Sequence, residues 1–288
     1  MRLSERLKRW SDDLSSTDHG TRVRRLVLAA GCLLAVQLVL AAVDLALPPD
    51  MGRAERSSPV ALDRHGAWLR ALPVENGRWR IRADLARTDK TFLKRLVAVE
   101  DERFYWHFGV DPVSMIRALI GNAQAGEITS GGSTITMQTV RLLEPRPRNI
   151  GSKLVEVVRA AQLEARLTKS EILALYLTLA PYGGNLEGVR AASLSWFGHE
   201  PESLTTGEQA LLIALPQSPE SRRPDRRPKV AAAARDEVLE RMRRAGLIDD
   251  FIVAEASSEP LPTARAVFPR LAWHAAGRLA AAAPLKQA

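Results

Sequence analysis

The sequence is poor in cysteine and in aromatic residues, which limits what can hold its fold together. Cys32 is the one cysteine among 288 residues, so an intramolecular disulfide framework and a cysteine zinc cluster are both excluded. No internal repeat is visible. Because 46% of the residues are hydrophobic, the chain can bury the core of one medium-sized domain with appendages.

Neither sign of charge dominates, although basic residues are in excess. The chain has 41 lysines and arginines against 33 aspartates and glutamates, a formal net charge of +8. A basic surface suits polyanions, which include nucleic acid, anionic lipid headgroups and pyrophosphate. Charge alone does not choose among them.

A long apolar run lies near the N-terminus. Segment Leu26–Leu47 has only Gln37 and Asp44 as polar residues, and its length matches one bilayer crossing. Three arginines within residues 22–25 precede it, so the positive-inside rule predicts a cytoplasmic N-terminus and an extracytoplasmic chain after Pro48. A cleaved signal peptide is the alternative, but its apolar core is shorter, about 7 to 15 residues. We therefore predict an uncleaved anchor.

The rest of the chain divides into a short β-rich connector and a mainly α domain. Turn signals at His65–Gly66 and Asn76–Gly77 separate short apolar runs, which predicts strands between Pro59 and Leu85. The predicted organisation is a basic tail over 1–25, an anchor over 26–47, a connector over 48–89, a helical domain over 90–250, and a C-terminal helix with a linker over 251–288.

Eight helices are predicted after the connector, two of them behind capping boxes that begin at Thr168 and Thr205. Segment 216–228 contains four prolines, which predicts a surface loop. The predicted helices span residues 91–100, 112–125, 133–143, 152–167, 169–179, 186–196, 206–215 and 229–245.

Two glycine-terminated or glycine-rich segments carry candidate chemistry. EDERFYWHFG, from Glu100 to Gly109, ends an apolar helix in three acids beside four aromatics, which can put a carboxylate in a partly dry cleft suited to a general base. A solvated helix end over an aromatic core is the alternative.

In SGGSTITMQ, from Ser130 to Gln138, a glycine-rich turn leads into the start of a helix, which attracts phosphate. It is no P-loop, and plain N-capping by Ser133 is the alternative.

A third segment is the helix that carries Lys153 and Glu156, one turn apart on one side. An exposed ion pair at i,i+3 is the usual interpretation of that spacing. The apolar stripe predicted to be buried on another side consists of Leu154, Val158, Ala161 and Ala165.

Together these segments resemble the family 51 glycosyltransferases, which are the transglycosylase domains of class A penicillin-binding proteins. EDERFYWHFG is similar to the first family signature and GGSTITMQ to the second. Lys153-Leu-Val-Glu156 and the segments Glu171–Gly198 and Glu208–Pro219 follow in the family's order. The likeness covers about Val60 to Leu247, and GGSTITMQTVRLL and APYGGNLEG are most similar to the penicillin-binding protein 1C branch.

The resemblance implies a mainly α, lysozyme-like fold and synthesis of peptidoglycan strands from lipid II. It implies that Glu100 is the general base and that Glu156 is a second acid, acting at the leaving group or through a divalent cation, Mg²⁺ or Mn²⁺, with no organic cofactor. Substrate contacts are implied for Asp101, Phe104, His107, Gly132, Ser133, Thr134, Gln138, Arg141 and Lys153. A small hydrophobic lobe is expected to touch the membrane through Trp106, Phe108, Met115 and Ile116.

Two positions depart from the family pattern. Ser152 stands where an arginine usually precedes the motif lysine, and Thr178 replaces the usual asparagine. The chain contains neither the Ser-x-x-Lys nor the Lys-Thr-Gly signature of a penicillin-binding transpeptidase. The sequence therefore predicts glycosyltransferase chemistry alone, in either a naturally short or a truncated protein.

Two other functions stay open. A lytic transglycosylase would share a helical fold and a catalytic glutamate but would cut strands, and a membrane scaffold would keep the fold without turnover. The expected partners are lipid II, the growing glycan, the membrane and other wall enzymes such as a separate transpeptidase. Nucleic acid is not expected, because the predicted topology places the domain outside the cytoplasm.

Overall fold

Apolar residues at helical spacing produce a mainly α molecule, as predicted. The computed structural model describes residues 3–65, 68–125, 132–147, 149–272, 274 and 278. The helices are α1 (Leu3–Ala46), α2 (Gly52–Glu55), α3 (Lys90–Glu100), α4 (Pro112–Ala125), α5 (Ile135–Leu143), α6 (Ile150–Arg166), α7 (Lys169–Leu179), α8 (Val189–Trp196), α9 (Thr206–Ala214), α10 (Pro228–Arg244) and α11 (Asp250–Ser258). The strands are β1 (Val60–Leu62), β2 (Trp68–Ala71), β3 (Trp79–Arg80) and β4 (Leu186–Glu187).

The chain forms two compact units, Met1–Pro49 and Asp50–Ala288. The first unit contains α1, in which Val23–Ala46 is long and apolar enough to cross a membrane by length and composition. This stretch agrees with the anchor predicted over 26–47 and suits a membrane-anchored protein.

The second unit includes the connector as well as the helical domain. β1 and β2 form the predicted antiparallel hairpin. Asn76 and Gly77 both have positive φ, so the predicted turn forms, but pairing across it stops after one bridge between Val74 and Arg78. β3 instead pairs in parallel with β4. This long-range pairing ties the connector to the helical domain.

The core lies among α3, α5, α7, α9 and α10. Most residues of α5, α7 and α9 are buried, whereas α10 keeps one face toward solvent. Both predicted capping boxes form, at Thr168–Glu171 and Thr205–Glu208. The largest fully buried side chains include Tyr176, Tyr182, Phe92 and Phe104.

The helix predicted over 186–196 begins only at Val189. Gly188 has a φ of 88°, outside the helical region, and a Cβ there would lie 2.7 Å from the Thr178 carbonyl oxygen. Gly188 therefore separates β4 from α8. Thr178 itself, one of the two departures from the family pattern, accepts a hydrogen bond from the Ala83 backbone N–H at 3.0 Å. That bond is another tie between the connector and the helical domain.

The buried face of α6 differs from the prediction. Leu154 and Val158 are 65% and 37% exposed, whereas Glu156, Ala160 and Leu163 are buried. The prediction from the apolar stripe fails because Glu156 turns inward to pair with Arg141 of α5 and with Lys153 of its own helix. A charge that is paired can be buried.

Candidate active site

Glu100 is the last residue of α3, and amide groups fix its carboxylate. Gln138 Nε2 donates to Glu100 Oε2 at 3.1 Å, and Gln217 Nε2 donates to Glu100 Oε1 at 2.7 Å. Each carboxylate oxygen has two lone pairs, so each can still accept one proton or hydrogen bond. The side chain is half-buried. Glu100 is therefore held in place and still reachable.

The surroundings of Glu100 are rigid. Burial, together with the negative charge of Glu100, raises the pKa values of Tyr176 and Tyr182 well above their usual range. Both tyrosines are fully buried, so water does not reach their side chains on the side of the site that lies near the carboxylate. On α10, the Arg241 guanidinium donates to the backbone carbonyl of Val99, the residue before Glu100. This contact fixes the end of α3.

The second motif places Ser133 just before the N-cap of α5. Thr134, not Ser133, is the N-cap of α5: its hydroxyl accepts from the Met137 backbone N–H at 3.1 Å and donates to the Gly109 carbonyl at 2.6 Å. Plain N-capping by Ser133 is therefore wrong. Ser130 and Gly131, where the motif begins, lie outside the described residues.

Ser133 instead joins an ion cluster with α5 and α6. Lys153 Nζ donates to Ser133 Oγ at 2.6 Å and lies 3.4 Å from Glu156 Oε2. Arg141 holds the same carboxylate with two bonds, Nε to Oε1 at 2.7 Å and Nη2 to Oε2 at 2.9 Å. An exposed surface pair is excluded, because the Glu156 side chain is only 7% exposed.

The cluster is electrostatically coupled. Burial opposes ionisation of Glu156, but hydrogen bonds and charge from Arg141, with the charge of Lys153, lower its pKa overall. Burial lowers the pKa of Lys153, with a further contribution from the charge of Arg141. Two cations thus share one carboxylate, and the cluster keeps a positive charge that an incoming anion can neutralise.

Helix α5 connects the two acids. Gln138 and Arg141 are one turn apart, so they share a face, and the first contacts Glu100 while the second contacts Glu156. A cavity of about 210 Å³ brings Glu100 together with Ser133 from the second motif. Arg117 of α4 and Arg241 of α10 also line it. Three larger cavities elsewhere in the described chain contain no residue of the three motifs.

Three residues expected to contact substrate make buried contacts within the scaffold. Asp101 accepts from the Ile135 backbone N–H at 2.9 Å and meets His107 Nε2 at 3.0 Å, and both side chains are almost fully buried. Phe104 is fully buried, with Lys169 Nζ 4.6 Å from its ring centroid. Asp101 also lines the cavity that contains Glu100, and substrate contact by the three residues stays a prediction. They join the end of α3 to the start of α5.

The expected membrane-facing residues separate into two groups. Trp106, Phe108 and Ile116 are 87%, 61% and 58% exposed. Met115 is half-buried, and its Cα would lie 2.8 Å from a Cβ added at Gly132. Gly132 therefore allows α4 to approach the second motif closely, and its contact with substrate stays a prediction.

Sequence reasoning missed Gln217. It lies in the Pro216–Pro228 segment, which was predicted to be a surface loop, and also in the family-like segment Glu208–Pro219, but no role was predicted for it. The chain there forms a 3₁₀ turn, Leu215–Gln217. Arg222 Nη1 donates to Gln217 Oε1 at 2.9 Å and so orients the amide toward Glu100. No local signal points to this contact, which spans more than a third of the chain.

The side chains present do not make a protein-only divalent-cation site. In the described ranges, no three His, Cys, Asp or Glu side chains are grouped to share an ion. Glu156 is held by Arg141 and Lys153, and Glu100 by two amides. Mg²⁺ prefers several oxygen ligands, which this donor set does not supply. The expectation of Mg²⁺ or Mn²⁺ stays a prediction.

Comparison with known proteins assigns the family. A family model described as transglycosylase matches residues 65–243, more than half of the chain. The chain belongs to the transglycosylase family. Penicillin-binding protein 1C of Escherichia coli is 44% identical over 213 residues, 74% of this chain and 28% of that protein. A putative transglycosylase of Cupriavidus necator is 37% identical over 167 residues, 58% of this chain and 72% of that protein.

These matches confirm the family expected from the motifs, a transglycosylase domain of the penicillin-binding-protein type. The chain spans about a quarter of the length of the penicillin-binding proteins it matches. A crystal structure of penicillin-binding protein 1A from Haemophilus influenzae aligns with a TM-score of 0.41 at 20% identity, covering 75% of this chain and 22% of that one. The likeness to lysozyme stays a prediction.

Proposed function

We propose that this chain is a membrane-anchored peptidoglycan glycosyltransferase that polymerises lipid II into β-1,4-linked glycan strands. The observation that carries this proposal is the placement of Glu100 in the cavity that also contains Ser133, with two amides holding its carboxylate. Ser133 in turn bonds to Lys153 of the ion cluster. Glycosyl transfer from a sugar diphosphate requires a general base next to a positively charged site that can bind the departing anion.

Glu100 acts as the general base. It takes the proton from the 4-hydroxyl of the acceptor sugar, lipid II, as that oxygen attacks the anomeric carbon of the growing strand. The new carbon–oxygen bond forms as the bond to the diphosphate oxygen breaks, which inverts the α linkage to β. Undecaprenyl diphosphate leaves with the bonding electrons. Gln138 and Gln217 keep the base aligned during this step.

The ion cluster stabilises the leaving diphosphate. Arg141 and Lys153 supply positive charge, and Ser133 adds a hydroxyl. In the structure Glu156 bonds to both cations, so it acts on the leaving group through them by fixing their positions. This assignment needs no direct proton transfer from Glu156.

The anchor and the basic N-terminal flank support an extracytoplasmic domain in a bacterial plasma membrane, with the N-terminus in the cytoplasm. The partners we propose are lipid II, the growing strand and the membrane, with a separate transpeptidase as a candidate enzyme partner. A transpeptidase would cross-link strands whose synthesis this cavity supports.

Polymerisation of purified lipid II by the full chain in detergent tests the proposal. Glycan strands longer than the disaccharide are expected from the wild-type chain. A lytic transglycosylase would instead release fragments from finished sacculi, and a scaffold would do neither. Either result would refute the proposed activity.

A further inference from the structure

Four arginines converge where the connector meets the helical domain. The carboxylate of Glu187, in β4, is 1% exposed and accepts hydrogen bonds from Arg53 and Arg78 at 2.7 Å and from Arg80 at 2.6 Å. Arg56 lies beside them and bonds to Glu75 at 2.8 Å. One buried acid is therefore surrounded by three guanidinium groups, with a fourth close by.

These arginines line an open cavity of about 240 Å³. Arg80 is buried, whereas the side chains of Arg56 and Arg78 are 45% and 43% exposed. The other lining residues are Arg53, Val74, Glu75 and Asn76. The cavity shares no residue with the one that contains Glu100.

The side chains around this cavity carry more positive than negative charge. Four guanidinium charges face the two carboxylates of Glu75 and Glu187, which leaves a formal excess of two positive charges. Burial lowers the pKa of Arg80, and the charges of Arg53 and Arg56 add to this against the opposing effect of Glu187. Like charges in such proximity repel one another unless an anion joins them.

Donor groups remain available for such an anion. Arg78 bonds to Glu187 through Nη1, and Arg56 uses Nε and Nη1. The remaining guanidinium nitrogens of these two residues have no partner among the residues that the structure describes. A guanidinium fork presents parallel N–H groups that match two oxygens of one phosphate. A phosphate group fits this chemistry better than a carboxylated peptide, because four arginines surround a small cavity.

Sequence position indicates where such a phosphate comes from. Only residues 47–52 separate the end of α1, the predicted anchor, from Arg53. Basic residues next to a membrane anchor are attracted to anionic lipid headgroups. We propose that this cavity binds the phosphate of an anionic phospholipid and so fixes the connector at the membrane surface. The proposal does not depend on the glycosyltransferase assignment.

Native mass spectrometry of the detergent-solubilised full chain tests it. The chain is titrated with phosphatidylglycerol and, separately, with zwitterionic phosphatidylcholine, and bound lipids are counted. We expect phosphatidylglycerol to bind more tightly by about fivefold per engaged arginine. The double variant Arg56→Gln/Arg78→Gln should bring the two lipids to nearly equal affinity. Arg53 and Arg80 still pair with Glu187 in that variant, so the fold is retained, which thermal unfolding verifies.

A matched control removes the same charge elsewhere. Arg87→Gln/Arg244→Gln changes two exposed arginines that pair with Glu202 and Glu240, and it should leave the lipid preference intact. Equal binding of both lipids to the wild-type chain would overturn the proposal, as would equal effects of the two double variants. Complete displacement of phosphatidylglycerol by millimolar inorganic phosphate would also overturn it, because the site would then take a free anion.

Discussion

Gln217 Nε2 donates a 2.7 Å hydrogen bond to Glu100 Oε1 from a turn that follows α9. The amide is itself held by Arg222, so a relay of two residues from one loop orients the proposed base. Glu100 thus depends on the loop between α9 and α10 as well as on its own helix.

Gln217→Ala should lower kcat for polymerisation by about tenfold with little change in KM, because it removes alignment and not substrate contact. Initial rates of strand formation from lipid II measure this. In an Arg222→Ala background, where the Gln217 amide is no longer oriented, the same change should have little further effect. An equal fractional loss in both backgrounds would show that Gln217 acts elsewhere.

Glu156→Gln should cause a large but incomplete loss of activity. The amide cannot neutralise Arg141 and Lys153, so the two cations lose their fixed positions while the base stays intact. The loss should be about a hundredfold, less than that of a base variant. Wild-type rates in Glu156→Gln would reduce this cluster to a structural ion pair.

Asp111 precedes α4 and links its first turn to Arg103. Burial opposes its ionisation, but hydrogen bonds from Ser114 and Arg103 outweigh that effect and lower its pKa from 3.8 to about 2. A lowered folded-state pKa stabilises the fold above the unfolded value, and this stability is lost as pH falls from about 4 to about 2.

Asp111→Asn should therefore lower the unfolding temperature at pH 7, and its difference from wild type should shrink as pH falls below about 4. Thermal unfolding of the full chain in detergent at several pH values measures this. The control is Glu237→Gln, at an exposed carboxylate on α10. A difference that stays constant down to pH 3 would contradict the lowered pKa.

The exposed face of α4 should bind lipid. Val113, Ile116 and Ile120 lie at i, i+3 and i+7, and more than half of each side chain is exposed. A chain that begins at Asp50, without the anchor, should sediment with liposomes, and Ile116→Glu/Ile120→Glu should weaken this binding. The anchorless chain should begin at Asp50 and not at the start of the predicted strands near Pro59, because Met51 and Ala54 pack against the core.

The control for that variant is Val230→Glu, at an exposed apolar residue on α10. It adds the same type of charge to another helix and should leave liposome binding unchanged. If the anchorless chain stays wholly in the supernatant with or without these changes, the lobe does not touch the membrane.

The helices and the motif residues could be predicted because their signals are local. Capping boxes at Thr168 and Thr205 depend on residues three positions apart, and both form. The partner of β3 and the contact of Gln217 could not be predicted, because each joins segments that are far apart in the sequence. Local patterns do not specify such pairings.

The prediction of the buried face of α6 failed for a different physical reason. Periodicity ranks residues by polarity, so it placed Leu154 inside and Glu156 outside. The structure reverses them, because Arg141 and Lys153 pair with the acid and so allow it to be buried. The prediction from periodicity was thus wrong at the cluster that we propose binds the leaving diphosphate.

Glu100→Gln tests the central claim most directly. The amide keeps the shape of the side chain but cannot take the proton of the acceptor hydroxyl. The full-length variant in detergent should unfold at the wild-type temperature and still bind lipid II, yet form no glycan strands from it. If the variant retains more than a few per cent of the wild-type rate, Glu100 is not the general base.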